Sequence, residues 1–364
     1  MTAAEPPEDT DAGPRRSRYR RRGLALVLLL LAAAAGAAGF RWSEHGAAPP
    51  VPSRLCTLYA SPDGRSGRKR GTIQRPLSVQ GLVNRLRAGQ TGCLLAGTYS
   101  GRIIISRGGT PGRPIRLRST PRYHATIDGQ IWVRHSAHDV VVSNLTVDNV
   151  VPIDRSLVPP VSDLLIEGDR VTIEDSELES GNTGICVLVG GEDGVANDAA
   201  ILRDSIHNCG PLPAYNHGHG IYVEHSQFLR IVGNLIYDNA DRGIQLYPDA
   251  QHTLIAKNII DGNGEGIIIS GDSDNASSNN IITDNVISDS VIRYNVESFW
   301  GGAVGVGNVV RDNCLWNGAE GEVGEQLGFT AVDNTVADPR FADASTHDYR
   351  LLAGSGCAAL GRLP

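Results

Sequence analysis

His219, Arg242 and Glu265 stand 23 residues apart, each just before a glycine (Gly220, Gly243, Gly266) that opens a short apolar segment: HGIYV, RGIQL, EGIII. A fixed period of this length is the mark of stacked structural repeats. Stacked at the β-strand spacing of about 4.8 Å, the three ionisable groups would form a ladder about 10 Å long, enough to engage neighbouring sugars. An imidazole, a guanidinium and a carboxylate in one place suit the removal of a proton beside a carboxylate, which needs a base for the proton and a cation for the carboxylate. Tyr222 joins them, giving His219, Tyr222, Arg242 and Glu265 as the candidate catalytic set. His217, Glu224, Asp241, Gln245 and Tyr247 surround it as candidate substrate-binding residues. The plainer reading is that a polar residue ahead of a turn glycine is only solvated.

Other chemistry-bearing residues say less. His217 and His219 would share a face if they lay in a strand, but no third metal ligand is evident beside them. Asp272 and Asp274 in GDSDN lack the full spacing of a calcium loop and read as a polar turn. Lys257 sits in a turn beside Asn258, a structural position.

The elements that would carry these residues are short strands. In HGIYV, RGIQL and EGIII the residues Ile221 and Val223, Ile244 and Leu246, Ile267 and Ile269 face one way. Tyr222 and Glu224, Gln245 and Tyr247, Ile268 and Ser270 face the other. Between them runs a second set of segments, from VVVSNLTVDN (140–149) to VVRDNCLWNG (309–318). These align on Asn144, Asp175, Asp204, Asn234, Asn258, Asn285 and Asn313, with steps of 24 to 31 residues. No long helical pattern interrupts them. One turn of chain therefore holds two or three strands and no crossover helix, which is a coil of a parallel β-solenoid. Asn or Asp at the bends tolerates the left-handed conformation and bonds the backbone.

These repeats resemble the right-handed parallel β-helix proteins of the pectate-lyase-like superfold, over roughly residues 55–360. The resemblance implies an all-β fold and many candidate chemistries, since unrelated activities share the scaffold. LYASPDGRSG through ATIDG resembles the N-terminal cap and first coils of bacterial polysaccharide-active members, with an amphipathic helix around 79–88 plugging the open end. Residues 338–361 resemble the tail that closes such proteins. Gly218-His219-Gly220 matches a polygalacturonase tripeptide, but Asn182-Thr183-Gly184 lacks the acid of the corresponding motif. Asn197-Asp198 keeps one carboxylate and no Arg-Ile-Lys occurs, so inverting hydrolysis is a weaker alternative. Lyases of this fold imply an Arg or Lys base with Ca²⁺ opposite. Arg242 with His219 or Tyr222 fills that role better than Lys257, and Ca²⁺ is the only cofactor the resemblance implies.

The whole chain sets bounds. Its 364 residues carry a net charge of −7 with only two lysines, Lys69 and Lys257, and lack the basic stripe of a nucleic-acid binder. Six cysteines suit an oxidising compartment. Cys56 and Cys93 flank the N-terminal cap and are expected to pair. Cys314–Cys357 would tie the last coil to the tail. Cys186–Cys209 is the third pairing, against the alternative that Cys186 is a small unpaired residue.

Residues 1–23 read as a disordered cytoplasmic tail with a basic cluster, RRSRYRRR. Residues 24–40 are an apolar run, 41–54 a linker, and 55–364 one solenoid with caps at about 55–106 and 319–364. The 17-residue run from Leu24 to Phe40 can just span a bilayer, with the basic cluster inside. It is a transmembrane signal anchor or, if cleaved, a signal peptide. Either exports the solenoid. The expectation is a monomeric, membrane-tethered protein outside the cytoplasm that binds or modifies a polysaccharide, as a uronate-polysaccharide lyase. The alternatives are a non-catalytic glycan- or envelope-binding solenoid and, more weakly, a hydrolase of polygalacturonase type.

Overall fold

The computed structural model describes residues 55–157, 159, 161–191, 194–360 and 364. The basic cluster, the apolar run Leu24–Phe40 and the linker lie outside the described residues. Among the described residues no helix is long and apolar enough to cross a membrane.

Each coil is built from three strands. Val140–Ser143, Thr146–Asp148 and Ser162–Ile166 make one coil; Val171–Glu174, Glu177–Glu179 and Ile185–Val189 make the next. Stacking gives, among the described residues, three parallel sheets of eleven, ten and nine strands. The register is in phase from coil to coil. Ile231 pairs with Ile255 and then Ile282, Ile236 with Ile260 and Ile287, and Ile221 with Ile244 and Ile267. All nine are fully buried. Each such aliphatic side chain is worth about 1.5–3 kcal/mol of burial. Because like stacks on like, one inward column reads as a run of the same residue at a fixed interval.

The sharp corner between the eleven- and ten-stranded sheets holds an amide ladder. Asn234 N–H donates to Asn258 Oδ1, Asn258 N–H to Asn285 Oδ1 and Asn285 N–H to Asn313 Oδ1, at 2.9, 2.9 and 3.0 Å. Each Nδ2 also donates to the next Oδ1, 2.9 Å away. The ladder runs from Asp204 to Asn334. It corrects the expected column at its start: Asn144 and Asp175 are not rungs. They occupy the preceding, left-handed position, φ 60° and 54°, shared with Arg203, Lys257 and Asp284. Ser176 takes the rung instead, its N–H donating to Asp204 Oδ1 at 2.7 Å. The left-handed residue turns the chain, and the next one ties the coils.

Gly220, Gly243 and Gly266 serve close approach. A Cβ on Gly243 would lie 2.9 Å from Gly266 O, and one on Gly266 only 2.2 Å from Asn295 O. The next coil's carbonyl occupies the place of a side chain, which explains the 23-residue glycine period.

The N-terminal helix is shorter than the 79–88 expected, covering Val79–Val83, with Ser78 as its cap. Leu82, Val83 and Leu86 still enter the core. All three expected disulfides are present: Cys56–Cys93, Cys186–Cys209 and Cys314–Cys357. The tail from Phe341 to Leu351 folds back over the ten-stranded sheet, where Tyr349 and Phe341 pack with Tyr237, Ile259 and Val286.

Candidate functional site

The chain's long excursions border the outward face of the nine-stranded sheet. Those at 150–157, 208–220 and 289–295 lie along one edge, between the ten- and nine-stranded sheets. Those at 194–199, 272–280 and 301–307 lie along the other. Two of the first group are joined: Arg155 donates to Pro213 O at 2.9 Å and lies over the Tyr215 ring, 4.6 Å from its centre.

His219, Arg242 and Glu265 do occupy one column. Gly220 N–H donates to Arg242 O, and Arg242 pairs in register with Glu265. The ladder is not solvated, however. The three are 2, 7 and 3 % exposed. They stand at the corner where each strand begins, where the 210–218 excursion packs against Arg242 and Arg293 against Glu265. Arg242 Nε donates to Glu265 Oε2 at 2.7 Å, and Arg242 Nη1 to Asn216 O at 3.0 Å. Arg293 Nε lies 2.8 Å from Glu265 Oε1 and donates to Glu297 Oε1 at 2.7 Å. Two guanidinium groups thus meet two carboxyl groups, three of them buried and the fourth, Arg293, reaching in from the surface. Burial, together with the Glu297 carboxyl hydrogen-bonded beside it, raises the Glu265 carboxyl to about 7 against the pull of the arginines. Burial first, then the Arg242 charge, holds the His219 imidazole well below its ordinary range and so neutral.

Asp241, expected to grip substrate, clamps the covering loop. Its carboxylate accepts the N–H groups of Asn216, His217 and Gly218 at 3.1, 3.0 and 2.7 Å. His217 and His219 lie in this loop, ahead of the strand Ile221–Gln227, so they do not share a strand face as a metal pair would. Among the described residues no three His, Cys, Asp or Glu side chains are grouped to hold a metal. Asp272 turns its own loop, accepting from the N–H groups of Asp274 and Asn275 at 2.8 and 2.6 Å.

The outward face of this sheet carries Tyr222, Glu224, Gln245 and Tyr247. Tyr222 stacks with Tyr247 at 6.4 Å and meets the His219 ring edge-on at 5.6 Å. Tyr222 is largely buried, which raises its phenol well above the ordinary range. One coil column outward of the core, Tyr222 continues through Leu188 and Leu165 to Trp132. Trp132 is half-buried, with the guanidinium groups of Arg102 and Arg134 at 5.7 and 4.8 Å from its ring centre. Its indole donates to Glu167 Oε2 at 2.6 Å. The sequence reading passed over Trp132, Arg102 and Arg134. The signal available was a tryptophan in the outward position of a strand, in a chain with four tryptophans.

Residues 129–336 match the family described as the right handed beta helix region. A stretch of 104 residues is 28 % identical to the uncharacterized protein YwoF of Bacillus subtilis (strain 168), covering 26 % of this chain and 22 % of that protein. The chain thus spans about a fifth of the length of that curated relative. Among solved structures, pectate lyase Pel9A superposes with a TM-score of 0.58 at 16 % identity, over 82 % of this chain and 89 % of its own. An alginate lyase from Paenibacillus sp. str. FPU-7 covers 71 % of this chain and 96 % of its own, with a TM-score of 0.47 and 14 % identity. The likeness to Pel9A is one of fold. Three in-phase parallel sheets and a family match over more than half of the sequence lead to one statement: the chain belongs to the right-handed beta-helix family.

Proposed function

We propose that this protein binds an acidic polysaccharide along the outward face of the nine-stranded sheet. One observation carries the reading: Trp132 flanked by Arg102 and Arg134 stands in the same outward column as Tyr222, three coils away. That separation is about 14 Å. Aromatic faces take sugar rings, and guanidinium groups take uronate carboxylates in paired hydrogen bonds. A chain of sugars fits such a track better than a single small molecule does.

The action on that polymer is read as lyase type. A neutral imidazole beside a guanidinium supplies a base and a counter-charge, and His219 and Arg242 stand in that relation. A non-catalytic binding role is favoured by a different observation, the burial of Arg242 and Glu265 as each other's partners. Export, with tethering through residues 24–40, is part of the same proposal. It is supported by the apolar run and by the three disulfides, which suit an oxidising compartment.

The test is a panel of acidic and neutral polysaccharides with Ca²⁺ supplied, reading ultraviolet absorbance of unsaturated uronates and new reducing ends in parallel. Absorbance that disappears in His219→Ala supports the lyase. Reducing ends without absorbance point to hydrolysis. Binding without either product leaves the carbohydrate-binding role, and no binding to any acidic polymer overturns the proposal.

A further inference from the structure

The ten-stranded sheet carries an outward column of a different character. Its register runs Asp148, Glu179, His207, Tyr237, Asp261, and Glu177 projects from the same strand as Glu179, two residues earlier and on the same side. His207, 7 % exposed, is wedged between two carboxyl groups. Its Nε2 is 3.6 Å from Glu177 Oε1, and its Nδ1 is 3.9 Å from Glu179 Oε2. Tyr237 stacks on the ring at 4.7 Å. The Asn208 amide nitrogen lies 3.1 Å from Nδ1, which assigns Nε2 as the ring's donor. The buried Nε2 faces Glu177 Oε1 at 3.6 Å, too long a contact for a full hydrogen bond. Buried donors are normally satisfied, so the gap asks for an oxygen atom.

Behind the column lies Asp163, fully buried, neither of whose oxygens makes a hydrogen bond of good geometry, the Asn149 amide beside it included. Burial first, and neighbouring carboxylates second, hold Asp148, Glu179 and Asp163 above the ordinary carboxyl range. The His207 ring instead holds Glu177 low. The Glu177 and Glu179 side chains are 43 and 30 % exposed and therefore reachable. The column is closed at its other end by the tail. There the tilted His347 ring lies 4.2 Å from that of Tyr237 and its Nε2 sits 2.9 Å from Asp238 Oδ2.

We propose that Asp148, Glu177, Glu179 and His207 form a second carbohydrate site, one that takes a sugar with a free amino group. An ammonium brings one positive charge and three N–H donors, and it bridges carboxylates through hydrogen bonds of about 2.8 Å. Among the described residues no three His, Cys, Asp or Glu side chains are grouped to hold a metal ion. The hydroxyl oxygen next to the amino carbon of a 2-amino sugar would accept from His207 Nε2. Acetylation removes both the charge and two donors, so the site discriminates against N-acetylated sugars. Its charge is opposite to that of the Trp132 track, and neither site depends on the other.

Calorimetric titration of the full chain tests this with glucosamine oligosaccharides, N-acetylglucosamine oligosaccharides of equal length, and CaCl₂. The expected result is binding of the free-amine oligomer that weakens with salt, with the acetylated series weaker by roughly tenfold or more. Glu177→Gln and Glu179→Gln should each weaken it by a similar factor at unchanged melting temperature. Arg134→Ala should leave it intact while weakening uronate binding on the other face, which separates the two proposals. Equal binding of the two sugar series, no sugar binding, or Ca²⁺ competing at lower concentration would each overturn it.

Discussion

Arg242 Nε lies 2.7 Å from Glu265 Oε2, one coil apart, with both side chains less than a tenth exposed. The pair holds the 210–218 excursion as well, because Arg242 also donates to Asn216 O. A buried pair is costly to break from one side, and removing Arg242 leaves Glu265 with the exposed Arg293 as its cationic neighbour. Arg242→Ala is therefore expected to destabilise the fold by about 3–5 kcal/mol. Arg242→Met combined with Glu265→Leu should lose clearly less than Arg242→Ala. Denaturant unfolding of the two variants checks this, and equal losses would show that packing rather than charge decides the site.

The same carboxyl makes stability depend on pH. Glu265 is raised to about 7, chiefly by burial, with Glu297 facing it and Arg242 and Arg293 opposing the shift. Its folded value lies above its unfolded one. Below about pH 4.5 the group is protonated in both states; as pH rises towards 7 the unfolded chain gives up its proton first. The contribution is thus fully present at low pH and is lost as pH rises through about 7. Glu265→Gln, which mimics the protonated form, should remove that decline. The measurement is the difference in unfolding free energy between wild type and variant across pH 4.5 to 8, which is expected to move in favour of the variant as pH rises.

At the opposite corner the Asn ladder gives a prediction without charge. Asn258 accepts from Asn234 N–H and donates from Nδ2 to Ile231 O and Asn285 Oδ1. Asn258→Leu leaves those buried backbone groups unsatisfied, at a cost of about 1–3 kcal/mol. A half-buried left-handed neighbour such as Asp284 is a different case, because Asp284→Gly keeps the backbone geometry. Thermal melts should separate the two variants clearly. Similar melting temperatures would mean that the ladder only follows the corner and does not hold it.

Much of this architecture is legible in the sequence because a solenoid repeats its physics. Ile221, Ile244 and Ile267 meet the same environment in successive coils, so their spacing reports the coil directly, and the glycines before them report where backbones touch. The cysteines were readable because each pair joins neighbouring coils or a cap. Burial at the start of the strands was not readable. His219, Arg242 and Glu265 look like a surface ladder until the 210–218 excursion and Arg293 are packed against it, and nothing local in GPLPAYNHG signals that packing. The ten-stranded column escaped for another reason. Asp148, Glu179 and His207 differ in type and are spaced by 31 and 28 residues, so no period singles them out.

The covering loop supplies the last prediction, because access to His219 depends on it. Asp241 holds three successive N–H groups of that loop in one carboxylate. Hydrogen bonds to a charged acceptor contribute about 1.5–3 kcal/mol each, so this one side chain decides whether residues 216–218 stay closed. Asp241→Ala should leave the coils intact, since their core and amide ladder lie elsewhere, while the loop opens. Hydrogen exchange at Asn216, His217 and Gly218 should then speed up by at least roughly tenfold, with the Ile221–Gln227 amides still protected. The His219 ring would meet water, and its titration, followed by NMR, should move up towards the ordinary imidazole range because burial is the main cause holding it down. Faster exchange with an unmoved imidazole would mean that the neighbouring Arg242, and not the loop, keeps His219 neutral.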